Sequence, residues 1–265
     1  MRIRPGIEIG SLTDVGCHRD SNEDYFSYWE PESEEEFAHK GRLAIVADGM
    51  GGYEGGQEAS RLAVEVVVAT YGNAADDPQA ALLASLQAAH EQIRQYGETH
   101  PQLLGLGTTC TALALHDRRL YFAHVGDSRL YLVRGDTISR LTRDHSYVGR
   151  LIESGVISSR EAETHPQRHI LTAALGTGVP LEADFPEIPV PLENDDVLVL
   201  CTDGLWGQVD ENELLQIVGA NSAADACREL VAMAKYRGGP DNITVQILRL
   251  SLNGHRQHEL DNSIP

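Results

Sequence analysis

Four aspartates lie beside short apolar runs, at the points where buried β-strands are expected to stop or begin. They are Asp48, Asp127, Asp203 and Asp241. A carboxylate at the end of a buried strand is costly to desolvate unless a partner compensates its charge. A divalent cation is an economical partner, because oxygen ligands suit Mg²⁺ or Mn²⁺ and neighbouring glycines would let a backbone carbonyl approach the ion. Each Asp-Gly pair alone could be a simple turn, but the repetition favours a metal site.

A polar segment near the start of the chain adds groups that suit an anion. Arg19 carries a planar guanidinium that can bind a phosphate through two hydrogen bonds. Glu23 and Asp24 follow closely and could hold a metal-bound water or orient Arg19. The alternative is an ordinary loop that leads into a strand. Together with the four aspartates, these residues predict an acidic divalent-metal site next to an anion-binding arginine.

The elements that must position these residues are predicted from hydrophobic periodicity. Short apolar, β-branched runs predict strands over 43–47, 111–115, 120–125, 130–133, 197–201 and 243–250. Amphipathic periodicity and capping residues predict helices over 58–71, 78–96, 210–219 and 223–237. Short turns join several strands, and strict β-α-β alternation is absent. This pattern favours antiparallel sheets covered by helices.

Length and composition exclude several classes of protein. The chain has 265 residues, enough for a sizeable core, and contains no apolar run of the roughly 20 residues that a membrane helix needs. Its net charge of -19 would repel a nucleic-acid backbone or an anionic membrane. The four cysteines are far apart and include Cys110 and Cys201 in apolar runs. This usage is typical of buried thiols and predicts a cytoplasmic protein.

These patterns predict a single domain. No apolar segment follows the basic start of the chain, so a secretory signal is not expected. The acidic run 30–36 lies between two strand-like segments and is predicted to be a solvated loop. Residues 253–265 lack apolar periodicity and are predicted to form a flexible C-terminal tail behind a domain of residues 1–252.

Six motifs follow one another in an order that points to one family. They are Arg19-x-x-Asn22-Glu23-Asp24, Val46-Ala-Asp48-Gly-Met-Gly-Gly52, Gly107-Thr-Thr109, Val125-Gly-Asp127-Ser-Arg129, Thr202-Asp203-Gly-Leu-Trp206 and Gly239-Pro-Asp241-Asn242-Ile-Thr244. The chain therefore resembles the protein phosphatase 2C family of metal-dependent serine/threonine phosphatases, in its compact bacterial form, over residues 7–250. The segments 141–146 and 161–168 look like those that bound the family's mobile flap, placed here at about 145–170.

The resemblance implies an α+β fold and a metal cofactor. The implied architecture is a four-layer α-β-β-α sandwich, in which helix pairs flank two central, mostly antiparallel β-sheets. The implied cofactor is Mn²⁺ or Mg²⁺, with two ions bound tightly and a weaker third ion. Asp48 would bridge the two tight ions, the carbonyl of Gly49 would bind one of them, and Asp203 and Asp241 would bind the other.

The resemblance also implies roles for three further residues. Glu23 would hold a water on the second metal, Asp127 would share the third ion with Asp203, and Arg19 would bind the substrate phosphate. The implied catalytic residues are thus Asp48, Arg19, Asp203 and Asp241. The implied reaction is direct attack on phosphorus by a water or hydroxide that bridges the two metals.

The chain departs from the family's eukaryotic members at one position of interest. Those members often carry a histidine directly after the Asp-Gly pair, as a proposed acid for the leaving group. Met50 stands at that position here and has no proton to donate. A metal-bound water is the preferred alternative acid, with His169 and His145 as further candidates.

The predicted function is hydrolysis of phosphoserine and phosphothreonine in proteins. Two alternatives stay open at this point: a catalytically weak phosphoprotein-binding regulator with the same fold, and another oxygen-ligated metal hydrolase such as a phosphodiesterase. The expected partners are phosphorylated proteins, namely a bacterial Ser/Thr kinase and its substrates. The protein is expected to be a monomer.

Overall fold

The apolar runs of the sequence form the strands of two β-sheets. The computed structural model describes residues 3–51, 55–74, 77–103 and 105–251, and all strand pairs within this part of the chain are antiparallel. The first sheet contains β1 (Ile7–Asp14), β7 (Arg129–Arg134), β8 (Thr137–Arg140), β10 (Val197–Cys201) and β11 (Ile243–Leu250). Their order across the sheet is β1, β11, β10, β7, β8.

The second sheet pairs strands that follow one another more closely in the chain. It contains β2 (Asp24–Trp29), β3 (Arg42–Met50), β5 (Cys110–His116), β6 (Arg119–Val125) and β9 (Val190–Pro191), in that order across the sheet. The short strand β4 (Gly107–Thr108) pairs with the end of β3.

Two helix pairs supply the outer layers. They are α2 (Gly55–Asn73) with α3 (Pro78–Thr99), and α7 (Glu211–Ala220) with α8 (Ala223–Tyr236). The expected caps are present: Asp77 accepts hydrogen bonds from the first turn of α3, and Asp210 forms a capping box with Glu213 in α7. Shorter helices are α1 (Glu34–Lys40), α4 (Tyr147–Glu153), α5 (Ser159–Glu163) and α6 (Asp203–Trp206).

Three separate clusters of buried apolar side chains show how the layers stack. One joins the second sheet to α2 and α3, one joins the first sheet to α7 and α8, and one lies between the two sheets. Ile45 and Leu86 belong to the first cluster, Val199 and Leu230 to the second, and Val46 and Leu198 to the third. Successive residues of β3 and β10 alternate between clusters, because both faces of each strand are covered. The predicted four-layer α-β-β-α fold is confirmed.

The structure corrects the prediction for the acidic run 30–36. Helix α1 begins within the run, at Glu34, because Ser33 caps it and three acidic residues in its first turn match the helix dipole. Glu30 is buried rather than solvated, and it accepts hydrogen bonds from the Arg4 backbone N–H and the Tyr28 hydroxyl. The run is therefore partly helical, and its first residue is paired within the protein.

Other predictions concern the ends of the chain and its cysteines. The tail at 253–265 lies outside the described residues. Cys110 and Cys201 are fully buried in strands, as expected for small apolar side chains. Within the described ranges, no helix has both the length and the apolar character needed to cross a bilayer.

His124 is a fully buried histidine of β6 whose two ring nitrogens are both hydrogen-bonded. Its Nε2–H donates to the carbonyl of Arg143 at 3.0 Å, and its Nδ1 accepts from the Thr111 hydroxyl at 2.8 Å. Burial, with a smaller effect of the neighbouring His145 ring, lowers the pKa of His124 to about 4. The folded protein therefore excludes a proton that the unfolded chain binds near pH 6.5.

This difference predicts a loss of stability in mild acid. The contribution of His124 is complete above about pH 6.5 and is lost as the pH falls toward 4, because only the unfolded chain gains the proton. Between pH 7 and pH 5, the free energy of unfolding should fall by about 2 kcal/mol more in the wild type than in His124→Gln. Urea denaturation at the two pH values measures this difference. Equal falls in both proteins would show that His124 is not held neutral.

Candidate active site

The aspartates singled out in the sequence meet at one end of the two sheets. Asp48 of β3 lies directly opposite Asp24 of β2 in the strand register. The negative charges of Asp24, Asp127, Asp203 and Asp241 all act on Asp48. Asp48 and Asp203 lie close enough for each carboxyl group to affect the pKa of the other. The four aspartates are thus neighbours in the fold, and Asp24 joins them.

Asp48 is held by backbone and hydroxyl groups of the neighbouring strand. Its strand does not end at Ala47 as predicted, because β3 continues to Met50 and pairs with β4. The Asp48 N–H donates to the Thr109 hydroxyl at 2.9 Å, and its carbonyl accepts from the Thr109 N–H at 2.9 Å and the Thr108 hydroxyl at 2.8 Å. In the sequence, the two threonines are marked only by their place in a motif. They fix the backbone that carries the Asp48 carboxylate.

Asp203 and Asp127 are joined through a tryptophan. Asp203 is the first residue of α6, and Trp206 at the end of this helix donates its indole N–H to the carbonyl of Asp127 at 2.9 Å. The guanidinium of Arg129 stacks 3.6 Å from the Trp206 ring centroid and binds both carboxylate oxygens of Asp144, at 3.0 and 2.7 Å. These contacts position the Asp127 turn relative to Asp203. Trp206 and Arg129 stand in motifs of the sequence, but their types and spacing predict no role for them.

Asp241 is positioned by the loop before β11, and its neighbour Asn242 ties this loop to the N-terminal segment. The Asn242 side chain donates to the carbonyls of Val15 and Ser21, both at 2.9 Å, and accepts from the Glu23 N–H at 2.8 Å. Asn242 is buried, and all three bonds are at least partly buried. One amide side chain therefore holds Glu23 next to Asp241.

Glu23 is also fixed from the side of α2. Its carbonyl accepts hydrogen bonds from the Gly49 N–H at 3.1 Å and from the Ser60 hydroxyl at 2.5 Å. A Cβ at Gly56 would collide with the Glu23 carboxylate. The same Cβ would also lie 2.9 Å from the backbone carbon of Gly49, so glycine at position 56 lets the start of α2 approach both Glu23 and Gly49 closely.

Packing and mutual repulsion raise the proton affinity of these carboxylates. Burial, and then the charges of the neighbouring aspartates, hold the pKa of Asp48 and of Asp127 well above the usual range. The same two causes raise the pKa of Asp203 to about 6 and of Asp24 to about 7. Burial also raises the pKa of Glu23. Without a cation, ionisation of all these carboxyl groups is therefore unfavourable.

Arg19 lies next to the carboxylates, as predicted, but it is paired with one of them. Its Nη2 is 2.7 Å from the Asp241 Oδ2, and about half of the Arg19 side chain is exposed. This contact uses only one of the five N–H donors of the guanidinium. Arg19 can therefore approach an anion at the open end of the site, and it supplies positive charge to Asp241 in this structure.

The donor set fits a divalent cation that prefers oxygen ligands. In the described residues, no three His, Cys, Asp or Glu side chains are already arranged around one point as in a filled metal site. Asp241 is instead paired with Arg19. Asp24 has one buried carboxylate oxygen, Oδ1, for which the described residues provide no hydrogen-bond partner. Unneutralised oxygens and strong mutual repulsion are what a bound Mg²⁺ or Mn²⁺ would relieve.

Comparison with known proteins assigns the family. The family model for protein phosphatase 2C matches residues 19–238. The chain is 36% identical to the protein phosphatase PhpP of Streptococcus pneumoniae over 251 residues, which are 92% of this chain and 98% of that protein. The chain belongs to the protein phosphatase 2C family. This chain is also 35% identical to the serine/threonine phosphatase stp of Listeria welshimeri, over 91% of this chain and 94% of that protein.

Solved structures agree with this assignment. The S. agalactiae serine/threonine phosphatase superimposes with a TM-score of 0.84 at 32% identity, covering 92% of this chain and all of that one. The catalytic domain of the serine/threonine phosphatase PstP, solved in complex with two manganese ions, gives a TM-score of 0.80 at 29% identity, covering 93% and 99%. The predicted family and fold are therefore confirmed, and the activity is that of a metal-dependent serine/threonine phosphatase.

Proposed function

We propose that Asp48, Asp203 and Asp241 hold two divalent cations, Mn²⁺ or Mg²⁺, at this end of the sandwich. Asp48 would contact both ions, the carbonyl of Gly49 would bind one, and Asp203 and Asp241 would bind the other. The observation that supports the proposal is the convergence of these carboxylates, whose mutual repulsion a cation would relieve. Arg19 would move from Asp241 to the substrate phosphate once a metal compensates that carboxylate.

Two further acidic residues would complete the ligand set. Glu23 would act on a metal through a water, since Asn242 and Ser60 hold its backbone at the edge of the site. Asp127 would share a weaker third ion with Asp203, which the bond from Trp206 keeps close to the Asp127 turn. A third site of this kind is expected to be weak because Mg²⁺ gives up its hydration shell reluctantly.

These assignments define what the chain contributes to hydrolysis. When bound, the cations supply Lewis acidity, which lowers the pKa of a water and offsets charge on the phosphoryl oxygens. Arg19 binds and orients the phosphate of a phosphoserine or phosphothreonine through its guanidinium. Met50 has no proton to give to the departing side-chain oxygen. The acid that serves this oxygen is therefore expected to depend on Asp127 and its ion.

A direct assay tests this proposal against its two alternatives. Hydrolysis of p-nitrophenyl phosphate and of a phosphothreonine peptide is measured with increasing Mn²⁺, and bound Mn²⁺ is counted by calorimetry. We expect turnover that requires Mn²⁺, and a clear preference for the phosphothreonine peptide over a phosphodiester. Metal binding without turnover would favour a phosphoprotein-binding regulator, and preference for the diester would favour a phosphodiesterase.

Arg19→Ala is expected to raise KM more than it lowers kcat. The variant loses a charge-assisted contact to the phosphate, which is worth about 2–3 kcal/mol and corresponds to roughly 30- to 150-fold in kcat/KM for a phosphothreonine peptide. Arg19→Lys should restore this only in part, because an ammonium cannot form the planar two-point contact. Steady-state kinetics at saturating Mn²⁺ measures both variants. Unchanged kinetics in Arg19→Ala would show that Arg19 does not contact the substrate.

The physiological substrates are proposed from the activity class. We propose that this phosphatase acts on a Ser/Thr kinase of the same cell and on proteins that this kinase phosphorylates. We also propose that residues 1–252 act as one catalytic domain, with 145–170 as its flap. Phosphoproteomics of a strain that lacks the phosphatase tests the first point: phosphoserine and phosphothreonine sites of the kinase should increase in occupancy.

A further inference from the structure

His145 contacts the turn that carries Asp127. The His145 N–H donates to the carbonyl of Gly126 at 2.7 Å, and the Gly126 N–H donates to the His145 Nδ1 at 3.3 Å. Gly126 has a φ of 109°, and a Cβ there would collide with Thr109, so the turn accepts only glycine at this position. Backbone and ring of one histidine thus hold both polar groups of Gly126, directly before Asp127.

The position of the ring proton follows from these contacts. Nδ1 must carry a lone pair to accept from Gly126, so the proton of the neutral ring is on Nε2. Nε2 lies 3.3 Å from Asp184 Oδ2, and this carboxylate favours a proton there. Asp184 is held in turn by Arg143, which binds both of its carboxylate oxygens at 3.0 and 3.1 Å. Asp184 therefore keeps His145 in the form that can accept from Gly126.

His145 is also the residue at which the flap segment begins. Its carbonyl accepts from the Thr172 N–H at 2.8 Å. The next residue, Ser146, forms an isolated antiparallel bridge with Leu171. Residues 145–146 and 171–172 are therefore paired where the flap segment begins and ends. His145 contacts both this pairing and the Asp127 turn.

We propose that His145 is a positioning residue, which uses its Nδ1 to hold the Gly126 N–H and thereby aims the Asp127 carboxylate into the active site. Asp184 favours the ring proton on Nε2, which leaves Nδ1 able to accept the hydrogen bond from Gly126. Both ring nitrogens of His145 face protein groups, so His145 does not serve as the acid for the leaving group. This inference rests on the role proposed above for Asp127, and it extends that role to a residue that need not touch substrate or metal.

Two substitutions separate the two ring nitrogens. His145→Asn places an amide oxygen near the position of Nδ1, and His145→Gln places its amide near Nε2, within reach of Asp184. For a phosphothreonine peptide, we expect kcat to fall about tenfold in the Gln variant and less than about threefold in the Asn variant, with KM nearly unchanged in both. His116→Gln is the matched control, because His116, at the end of β5, also bonds through its ring to a backbone carbonyl, that of Ala38. It should keep wild-type kinetics.

A second readout needs neither substrate nor metal. Amide hydrogen exchange of the metal-free protein should show the Gly126 N–H exchanging about tenfold faster in His145→Gln than in the wild type, and about as slowly as wild type in His145→Asn. Correlation spectra of ¹⁵N-labelled histidine should show the neutral ring of His145 with its proton on Nε2, and Asp184→Asn should reduce the population of this form.

The outcomes separate this inference from the role of Asp127. If the Asn and Gln variants have equal kcat and equal exchange at Gly126, the Nδ1 contact positions nothing and the inference is wrong. If the ring proton is found on Nδ1, the inference is also wrong. If exchange follows the prediction while Asp127→Ala keeps full activity, the Nδ1 contact is supported and the proposed role of Asp127 fails.

Discussion

Asp48→Asn is expected to abolish hydrolysis of both p-nitrophenyl phosphate and phosphothreonine peptides. Asp48 is the carboxylate proposed to contact both tightly bound cations, so the substitution removes one negative charge from both sites at once. We expect kcat/KM to fall about a thousandfold or more, as when a charge-stabilising group of an active site is lost. Bound Mn²⁺, counted by calorimetry, should fall with it. Activity within about tenfold of wild type at saturating Mn²⁺ would contradict the assignment.

Stability measurements give the same prediction a readout apart from activity. Asparagine removes the repulsion that Asp24, Asp127 and Asp203 exert on Asp48. The metal-free variant should therefore unfold at a higher temperature than the metal-free wild type. The wild type should gain more thermal stability from added Mn²⁺ than the variant, because ligands stabilise the state that binds them.

Asp196→Asn is a suitable control for a buried aspartate. Asp196 is buried just before β10, and Arg134 binds both of its carboxylate oxygens at 2.8 and 2.7 Å. Its loss should lower the thermal unfolding temperature and leave the Mn²⁺ count unchanged. Asp203→Asn and Asp241→Asn should instead resemble Asp48→Asn, since each would leave a metal short of an anionic ligand. A normal Mn²⁺ count in either variant would remove that residue from the ligand set.

Asp127→Ala is expected to separate metal binding from turnover. Asp127 is proposed to serve the third, weaker ion, so the two tight ions should stay bound and countable. Met50 cannot donate a proton, so protonation of the leaving oxygen should depend on Asp127 and the third ion. The loss of Asp127 should therefore reduce hydrolysis of phosphothreonine peptides by about a hundredfold, within the usual contribution of general acid catalysis. p-Nitrophenyl phosphate should lose much less, because nitrophenolate leaves without protonation.

The comparison of the two substrates decides between explanations for Asp127. Equal losses on both would refute a role in protonating the leaving group. No loss on either would mean that Gly126-Asp127 is only a hairpin turn. Trp206→Phe provides a milder test, because it removes the hydrogen bond to the Asp127 carbonyl and keeps an aromatic ring beneath Arg129. Trp206→Phe should also lose more activity on phosphothreonine peptides than on p-nitrophenyl phosphate, but both losses should be smaller than in Asp127→Ala.

Much of the fold was accessible from local patterns. The strands over 197–201 and 243–250 were predicted with the bounds that the structure shows, because both are rich in apolar and β-branched residues and both faces of each strand are covered. β1 was not predicted, since Ile7–Asp14 mixes polar and apolar residues with moderate exposure. Its pairing with β11 gives it a strand conformation, and this pairing joins residues more than 200 positions apart.

The site shows the same division. Residue types and their order along the chain pointed to Asp48, Asp127, Asp203, Asp241 and Arg19 as candidates, because carboxylates beside apolar strands are unusual and can be recognised in the sequence alone. The residues that hold them were not identified. Asn242, Thr109 and Ser60 act through side-chain hydrogen bonds to backbone groups far away in the chain, and no local pattern marks such bonds.

By itself, the sequence determined the family, the layered architecture and a set of candidate acidic residues, since each depends on residue type, spacing and order. Only the tertiary structure decided how these residues meet: that Asp24 faces Asp48, that Arg19 pairs with Asp241, and that His145 holds the Asp127 turn. The physical reason is that pairing across sheets and packing between layers bring together groups that are far apart in the chain. Burial and repulsion, which set the charge of this site, arise only once those groups are in contact.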